Sequence, residues 1–375
     1  MNLIENFKLS FVAKSIDKMK KKTPFNEVYS ELFQLPQDAG HDMNNSYYFS
    51  GHDQAGSSIF FRLGKRGGGA NELWFALKDS SGDIYFNKQQ IFYDGNSAKA
   101  SSRTDNDTDA SVTCIEAGKK WAFSYRGKIL KAITDENWTA ISSGQEVDAD
   151  FEGIFTASNS IFDFSRHMDT TPIARALARE KWSKSFMMHL KENHQTHYEQ
   201  PGDLKGTLIL NKRSKSIKMQ AIRDHSFGKR DWNYMDRHIW IMALMETGET
   251  LNVSIVRYPA VNELQTGYFI SKGNTSAPVC IDCATPMDEL ECIGRVPQKF
   301  QFTVRLSDGR TFYVSCKKEL EYIFPFDNGD YTIHEGIGSF SFNESKGRGI
   351  IEFGFNKEQA RWTGKTREAR QHADS

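Results

Sequence analysis

One stretch of the chain concentrates side chains able to move a proton. It is Arg223-Asp224-His225-Ser226-Phe227-Gly228-Lys229-Arg230-Asp231-Trp232, with Asp236, Arg237, His238 and Trp240 close behind. A carboxylic acid held among tryptophans has its pKa raised by desolvation and can then serve as a proton donor. Asp224 and His225 stand side by side in this stretch. A structural reading competes, in which Arg223, Asp224, Arg230 and Asp231 close into an ion-pair lattice that shapes a turn. The stretch lies between strands expected at 217–222 and 238–245. In a regular strand neighbouring side chains point to opposite faces, so Asp224 and His225 share one cavity only where a loop breaks the alternation.

A second polar cluster, His194, His197, Tyr198, Glu199 and Gln200, precedes Pro201-Gly202. His194 and His197 at i, i+3 would present two imidazoles to a metal on a helix. The Pro-Gly pair points to a turn instead, and no third ligand follows at a zinc spacing. Cys280-Ile281-Asp282-Cys283 with Cys292 has no second Cys-x-x-Cys or trailing histidine, and no βαβ unit surrounds it as a redox motif requires. Arg66-Gly67-Gly68-Gly69 is not followed by Gly-Lys-Ser/Thr, so it is no phosphate loop. Gly-x-Ser-x-Gly and His-Glu-x-x-His are both missing. No metal and no cofactor are expected.

The elements that must position these groups read as β-rich. Apolar residues at Leu3, Ile4, Phe7, Phe11, Val12, Ile16 and Met19 predict an N-terminal helix with a basic end, Lys18 to Lys22, packed on the body or lying on a membrane surface. Hairpins are expected where 73–77 and 84–86 flank Asp79–Asp83, where 239–245 and 251–256 flank Glu246–Glu249, where 300–306 and 311–315 flank Ser307–Arg310, and where 337–342 meets 350–355. Further strands fall near 58–63, 120–125 and 151–155, and the polar segment 98–110 reads as an exposed loop. One interior helix is predicted over 172–190, from Pro172 through Trp182 and Phe186. The pattern predicts an all-β chain with two antiparallel barrel or sandwich domains: an N-terminal helical segment 1–40, a β domain 41–170, a connecting helix 171–192, a β domain 193–365 and a polar tail 366–375.

The balance of 48 basic and 48 acidic residues among 375 argues against nucleic-acid binding driven by phosphate neutralisation. No apolar run reaches transmembrane length, and the N-terminus lacks a secretory pattern. Five cysteines, an odd number, fit reduced thiols and a cytoplasmic protein.

Tyr47-Tyr48-Phe49, His197-Tyr198-Glu199-Gln200, the Arg223–Trp232 stretch, and Glu335-Gly336 through Gly349-Ile350-Ile351-Glu352-Phe353 occur in that order. Together they resemble the tandem-lipocalin superfamily of AttH-like proteins, carotenoid 1,2-hydratase (hydroxyneurosporene synthase), kievitone hydratase and lipocalin-like Diels–Alderases, most closely its members with Arg-Asp-His-Ser-x-Gly-x-Arg-Asp-Trp. The resemblance implies two lipocalin-like domains packed together. It implies an enzyme, a hydratase-type lyase or an isomerase or cyclase, acting without a cofactor on an isoprenoid, polyketide or phenolic molecule. Asp224 would be the catalytic acid with His225 as its partner or orienter, and Tyr198, Glu199, Phe227, Trp232, His238 and Trp240 would contact substrate. Phe227 stands where Trp or Tyr is more frequent. The alternative is a lipocalin-like carrier of an apolar ligand without turnover; a protein partner is not specified. An Asp224 or His225 facing a dry aromatic cavity favours the enzyme.

Overall fold

A computed structural model of the chain describes residues 3–22, 26–36, 38–87, 91–93, 101–103, 108–184, 186, 195–230, 235–259, 261–271, 278–290, 296–326 and 330–357. The first sheet contains β1 (Met43–His52), β2 (Ser58–Arg66), β3 (Ala70–Lys78), β4 (Ile84–Asn87), β5 (Ile91–Tyr93), β6 (Ser101–Arg103), β7 (Asp109–Glu116), β8 (Lys120–Thr134), β9 (Ala140–Ala157), β10 (Phe162–Asp163), β11 (Gln195–Leu210) and β12 (Arg213–Lys229). Its pairings run β11-β12-β1-β2-β3-β4-β8-β9 and return to β11, so eight strands close a ring. The second sheet is a closed eight-stranded barrel of β13 (Arg237–Met245), β14 (Thr250–Arg257), β15 (Leu264–Ile270), β16 (Val279–Ala284), β17 (Lys299–Leu306), β18 (Thr311–Phe326), β19 (Tyr331–Phe342) and β20 (Ser345–Asn356). All these pairings are antiparallel.

Period-two burial shows why these segments are barrel staves. Along β9, Val147, Ala149, Phe151 and Phe155 are buried while their neighbours face solvent. Apolar side chains fill both interiors. Phe49, Phe61, Phe75, Phe123, Phe151 and Phe155 pack the first, with Phe49 and Phe123 stacked at 4.3 Å. Ile241, Val253, Phe269, Val304, Phe312 and Ile351 pack the second. A third cluster joins the barrels through their outer faces and includes Phe60, Trp74, Met242, Tyr268, Phe324 and Ile350. Trp74 and Phe324 stack there at 3.9 Å. Strands at this seam are buried on both sides, which is why β13 is buried at every residue.

Two tight turns set the register that matters for chemistry. Asn211-Lys212 joins β11 to β12 with φ of 46° and 66°, and Asn343-Glu344 joins β19 to β20 with φ of 49° and 64°. Two consecutive positive φ values define the hairpin turn whose twist matches the strands, and asparagine tolerates that conformation best among residues with a side chain. Counting back from the turns places Glu199 opposite Asp224 and Glu335 opposite Glu352.

The structure departs from the sequence expectations in three places. The first sheet does not end at the connecting helix, because β11 and β12 belong to it and the sheets change between Lys229 and Arg237. The reason is closure: the ring takes only six staves from residues before that helix, and the remaining two come after it. The helix expected over 172–190 is observed as α-helix Thr170–Ala178. It is capped by Asp169, whose side chain accepts from the Thr171 N–H at 2.8 Å, and Trp182 Nε1 donates to the Leu177 carbonyl near its end; residues 187–194, with Leu190, lie outside the described residues. Within the polar segment 98–110, residues 101–103 and 109–110 are strand, and 98–100 and 104–107 lie outside the described residues. The N-terminal helix, Leu3–Lys22, forms as expected and packs Val12 and Ile16 against Ala174. No helix among the described residues is long and apolar enough to cross a membrane.

Candidate active site

Strand β12 stays regular through Lys229, so the stretch that was expected to loop is divided by alternation instead. Arg223, His225 and Phe227 point to the inside of the first barrel. Arg223 is 2 % exposed; its Nη1 donates to Glu31 Oε1 at 2.9 Å and its Nε to Gln200 Oε1 at 2.9 Å. Glu31 also accepts from Trp121 Nε1 at 2.7 Å, so this ion pair plugs one end of the barrel. His225 stacks on Tyr47 at 4.3 Å, donates from Nε2 to Asn45 Oδ1 at 2.8 Å and accepts from the Tyr198 hydroxyl at Nδ1. Burial and the Arg223 charge push its pKa well below the usual histidine value, leaving it neutral. Phe227 stacks on Phe33 at 4.1 Å. His225, Tyr198 and Phe227 are therefore packing and positioning groups, and the expected partnership of His225 with Asp224 is corrected: the strand wall separates them. Of the expected lattice, Arg223 pairs with Glu31 inside the barrel, and Arg230 donates to Gln195 and Ser226. Asp231 and Trp232 lie outside the described residues.

Asp224 and Ser226 point outward, toward the second barrel. Between the barrels is a cavity of about 160 Å³, walled by Asp224, His197, Arg62, Arg230, Ser46 and Tyr48 on one side and by His238, Trp240 and Glu352 on the other. Asp224 and His238, two of the residues expected at the site, meet there with Trp240.

On the first wall the carboxylate of Asp224 is hydrogen-bonded to His197 Nε2. The His197 ring stacks on Phe164 at 4.4 Å, nearly parallel. Burial opposes its protonation, but the Asp224 hydrogen bond and charge, with Glu199 at 3.6 Å, outweigh burial and raise its pKa. Glu199 lies behind the wall, fully buried. It accepts from three groups of the second barrel: Trp240 Nε1 at 2.8 Å, Asn252 Nδ2 at 2.9 Å and the Tyr268 hydroxyl at 2.9 Å. Desolvation pushes its pKa up to about 8, and the Asp224 charge adds to the rise. Expected to touch substrate, Glu199 is instead a buried acid that ties the barrels together.

On the second wall Glu352 accepts from His238 Nε2 at 2.5 Å, and His238 Nδ1 meets the Tyr331 hydroxyl at 2.5 Å. Glu335 faces Glu352 across the hairpin and accepts from the Tyr48 hydroxyl at 2.5 Å. Two carboxylates this close cannot both ionise. Burial and the Glu352 charge hold Glu335 well above the usual carboxyl range. Despite burial, bonds from His238 and Glu335 bring Glu352 down to about 2. The proton on Glu335 accounts for its Oε2, which has no donor of its own.

Among the described residues, one group of three carries potential metal-ligand atoms within 4.8 Å of one another, His197, Glu199 and Asp224. His197 contacts both carboxylates, and Glu199 also accepts from Trp240, Asn252 and Tyr268. His194, the expected companion of His197, lies outside the described residues, and His197 is on a strand. Cys114, Cys280, Cys283 and Cys316 are unbridged thiols, as expected.

Sequence reading missed His197 as the partner of Asp224 and missed Arg62, and it met Tyr48, Glu335 and Glu352 only as parts of the motifs that carry the resemblance, not as site residues. The two asparagine turns were the available signal, because register counted from them pairs both acid couples.

Two closed antiparallel barrels packed through their outer walls, with an acid–base cavity at the seam, define a tandem lipocalin-like protein. The chain belongs to the family described as a domain of unknown function, DUF7064, whose model matches residues 29–357. Among solved structures it is similar to a protein described as AttH from Nitrosomonas europaea, at 14 % identity and a TM-score of 0.51, covering 88 % of this chain and 99 % of that one. Kievitone hydratase from Nectria haematococca aligns at 10 % identity and TM-score 0.47, over 89 % of this chain and 96 % of that one. CghA, solved with Sch210972, aligns at 8 % identity and TM-score 0.46, over 88 % and 94 %. The AttH likeness supports the AttH-like fold read from the sequence. No curated protein matches.

Proposed function

We propose that the protein is an enzyme that acts on a hydrophobic small molecule, isoprenoid, polyketide or phenolic, by acid-assisted hydration, cyclisation or isomerisation. The observation that carries this reading is the pair of carboxylate–imidazole couples, Asp224–His197 and Glu352–His238, on opposite walls of one aromatic-lined cavity. General acid and general base on two sides of a substrate are what proton addition to a double bond requires. In a hydration, the Asp224–His197 couple gives a proton to one alkene carbon. Water adds to the resulting cation at the other carbon and loses its proton to the Glu352–His238 couple. Tyr48 and Trp240, whose rings meet edge to face at 5.5 Å, can stabilise the cation through their π faces. In an isomerisation the second couple removes a carbon-bound proton instead. Among the described residues the paired acids and imidazoles lie at the seam, outside the apolar clusters of both barrel interiors, which supports substrate binding at the seam.

The test is a screen of isoprenoid and phenolic alkenes with the purified protein in D2O, read by mass spectrometry. Turnover with deuterium incorporated at carbon, lost in Asp224→Asn while the fold persists, is the expected result. Undiminished turnover in Asp224→Asn would sink the assignment.

A further inference from the structure

Arg62 is a cation at the cavity wall with a hydrogen-bonding capacity that the protein leaves unused. It is 5 % exposed and lines the cavity. Its guanidinium lies over the Trp74 ring at 4.5 Å and its Nη1 donates to Glu72 at 2.5 Å, yet its Nη2 is buried without a hydrogen-bond partner. A buried N–H of a charged group left unbonded is costly, and native structures rarely keep one without a use.

Register shows where that nitrogen lies. Glu72, Gly64, Ser46 and Ser226 are consecutive cross-strand neighbours in one row of the first barrel. The Arg62 guanidinium lies against Gly64, where a Cβ would come within 3.3 Å of Nη2. At the other end of the row Arg230 Nη2 donates to Ser226 Oγ at 3.2 Å. Ser46 sits between them, and all of Ser46, Ser226, Arg62 and Arg230 line the cavity. Arg62, Ser46 and Arg230 thus all line the one cavity, along a single cross-strand row. The other charges around the row are Arg66, which shares Glu72 with Arg62, the Glu335–Glu352 couple, and the Asp224–His197 couple, whose carboxylate acts on Arg230.

We propose that this row is an anion subsite that takes the carboxylate of an amphiphilic substrate, seated over Ser46 between Arg62 and Arg230, with the apolar body of the molecule against Trp74, Trp240 and Ile333. A carboxylate accepts guanidinium N–H groups in the plane of the fork, and such charge-assisted bonds are about twice as strong as neutral ones. The subsite rests on the reading of this cavity as the substrate site, and it narrows the substrate from any apolar molecule to an acid.

The test needs no knowledge of the reaction. Binding of 4-phenylbutanoate and of its primary amide to the full chain is measured by calorimetry, in the wild type, Arg62→Gln and Arg126→Gln, an exposed arginine paired with Asp150 outside the cavity lining. The acid should bind wild type about 10- to 100-fold more tightly than the amide, Arg62→Gln should abolish that preference, and Arg126→Gln should keep it. Equal binding of acid and amide by wild type, or no binding of either, overturns the subsite. The comparison of two ligands on one wild-type protein stands even where Arg62→Gln misfolds. An acid preference that persists while no alkene is turned over would uphold the subsite and remove the enzymatic reading.

Discussion

Asp224 and His225 are adjacent in the chain and lie on opposite sides of the first barrel wall. Asp224 bonds His197 in the inter-barrel cavity, and His225 bonds Tyr198 and Asn45 inside the barrel. The two should fail differently. Asp224→Asn should lower turnover of any substrate found in the alkene screen by at least about 100-fold, the scale of lost general-acid catalysis, with the melting temperature little changed. His225→Ala removes one hydrogen-bond partner each from Tyr198 and Asn45 and should cost about 1–3 kcal/mol in urea unfolding.

Glu199 makes stability depend on pH. Its folded pKa, about 8, lies above the ordinary 4.5, so between those values the folded state holds a proton that the unfolded chain releases. Its contribution is full below pH 4.5, declines as pH rises toward 8, and is constant beyond, a fall of roughly 5 kcal/mol at most. Glu199→Gln should flatten the melting-temperature profile between pH 5 and 8. An unchanged slope would show that Glu199 is ionised in the fold.

Glu335 and Glu352 should respond unequally to the same change. Glu335→Gln keeps the Tyr48 acceptor and replaces the acidic proton with an amide N–H toward Glu352, so it should alter stability by less than about 1 kcal/mol. Glu352→Gln removes the anion that His238 meets and should cost about 2–4 kcal/mol near neutral pH. Its wild-type contribution is present above pH 4.5 and is lost as pH falls toward 2, because the folded pKa is depressed. Chemical denaturation of both variants at pH 4 and pH 7 checks the order and the sign.

Arg223 is predicted to hold the barrel end and to leave chemistry alone. Breaking its buried pair with Glu31 from either side, Arg223→Ala or Glu31→Ala, should cost about 3–5 kcal/mol. The double variant Arg223→Met with Glu31→Leu should recover much of that, since no charge is then left buried. Losses that simply add in the double variant would contradict the pairing.

Much of the architecture was legible in residue order. The alternating hairpins and the scarcity of helix are local properties, governed by side-chain period and backbone sterics, and they define an antiparallel all-β chain. Residue order also singled out Asp224, His238 and Trp240, which line one cavity between the barrels. Which acid meets which imidazole was a different matter. His197 and Asp224 are 27 positions apart and meet only because the Asn211-Lys212 turn sets their register. Trp240 reaches Glu199 only because two separate barrels dock. Closure decided the rest: the first ring lacks two staves until β11 and β12 return from beyond the helix, and that return carries His197, Glu199 and Asp224 to the seam. Periodicity reports which face of a strand is buried, but the identity of what buries it is a long-range contact, and that was decided by the tertiary structure.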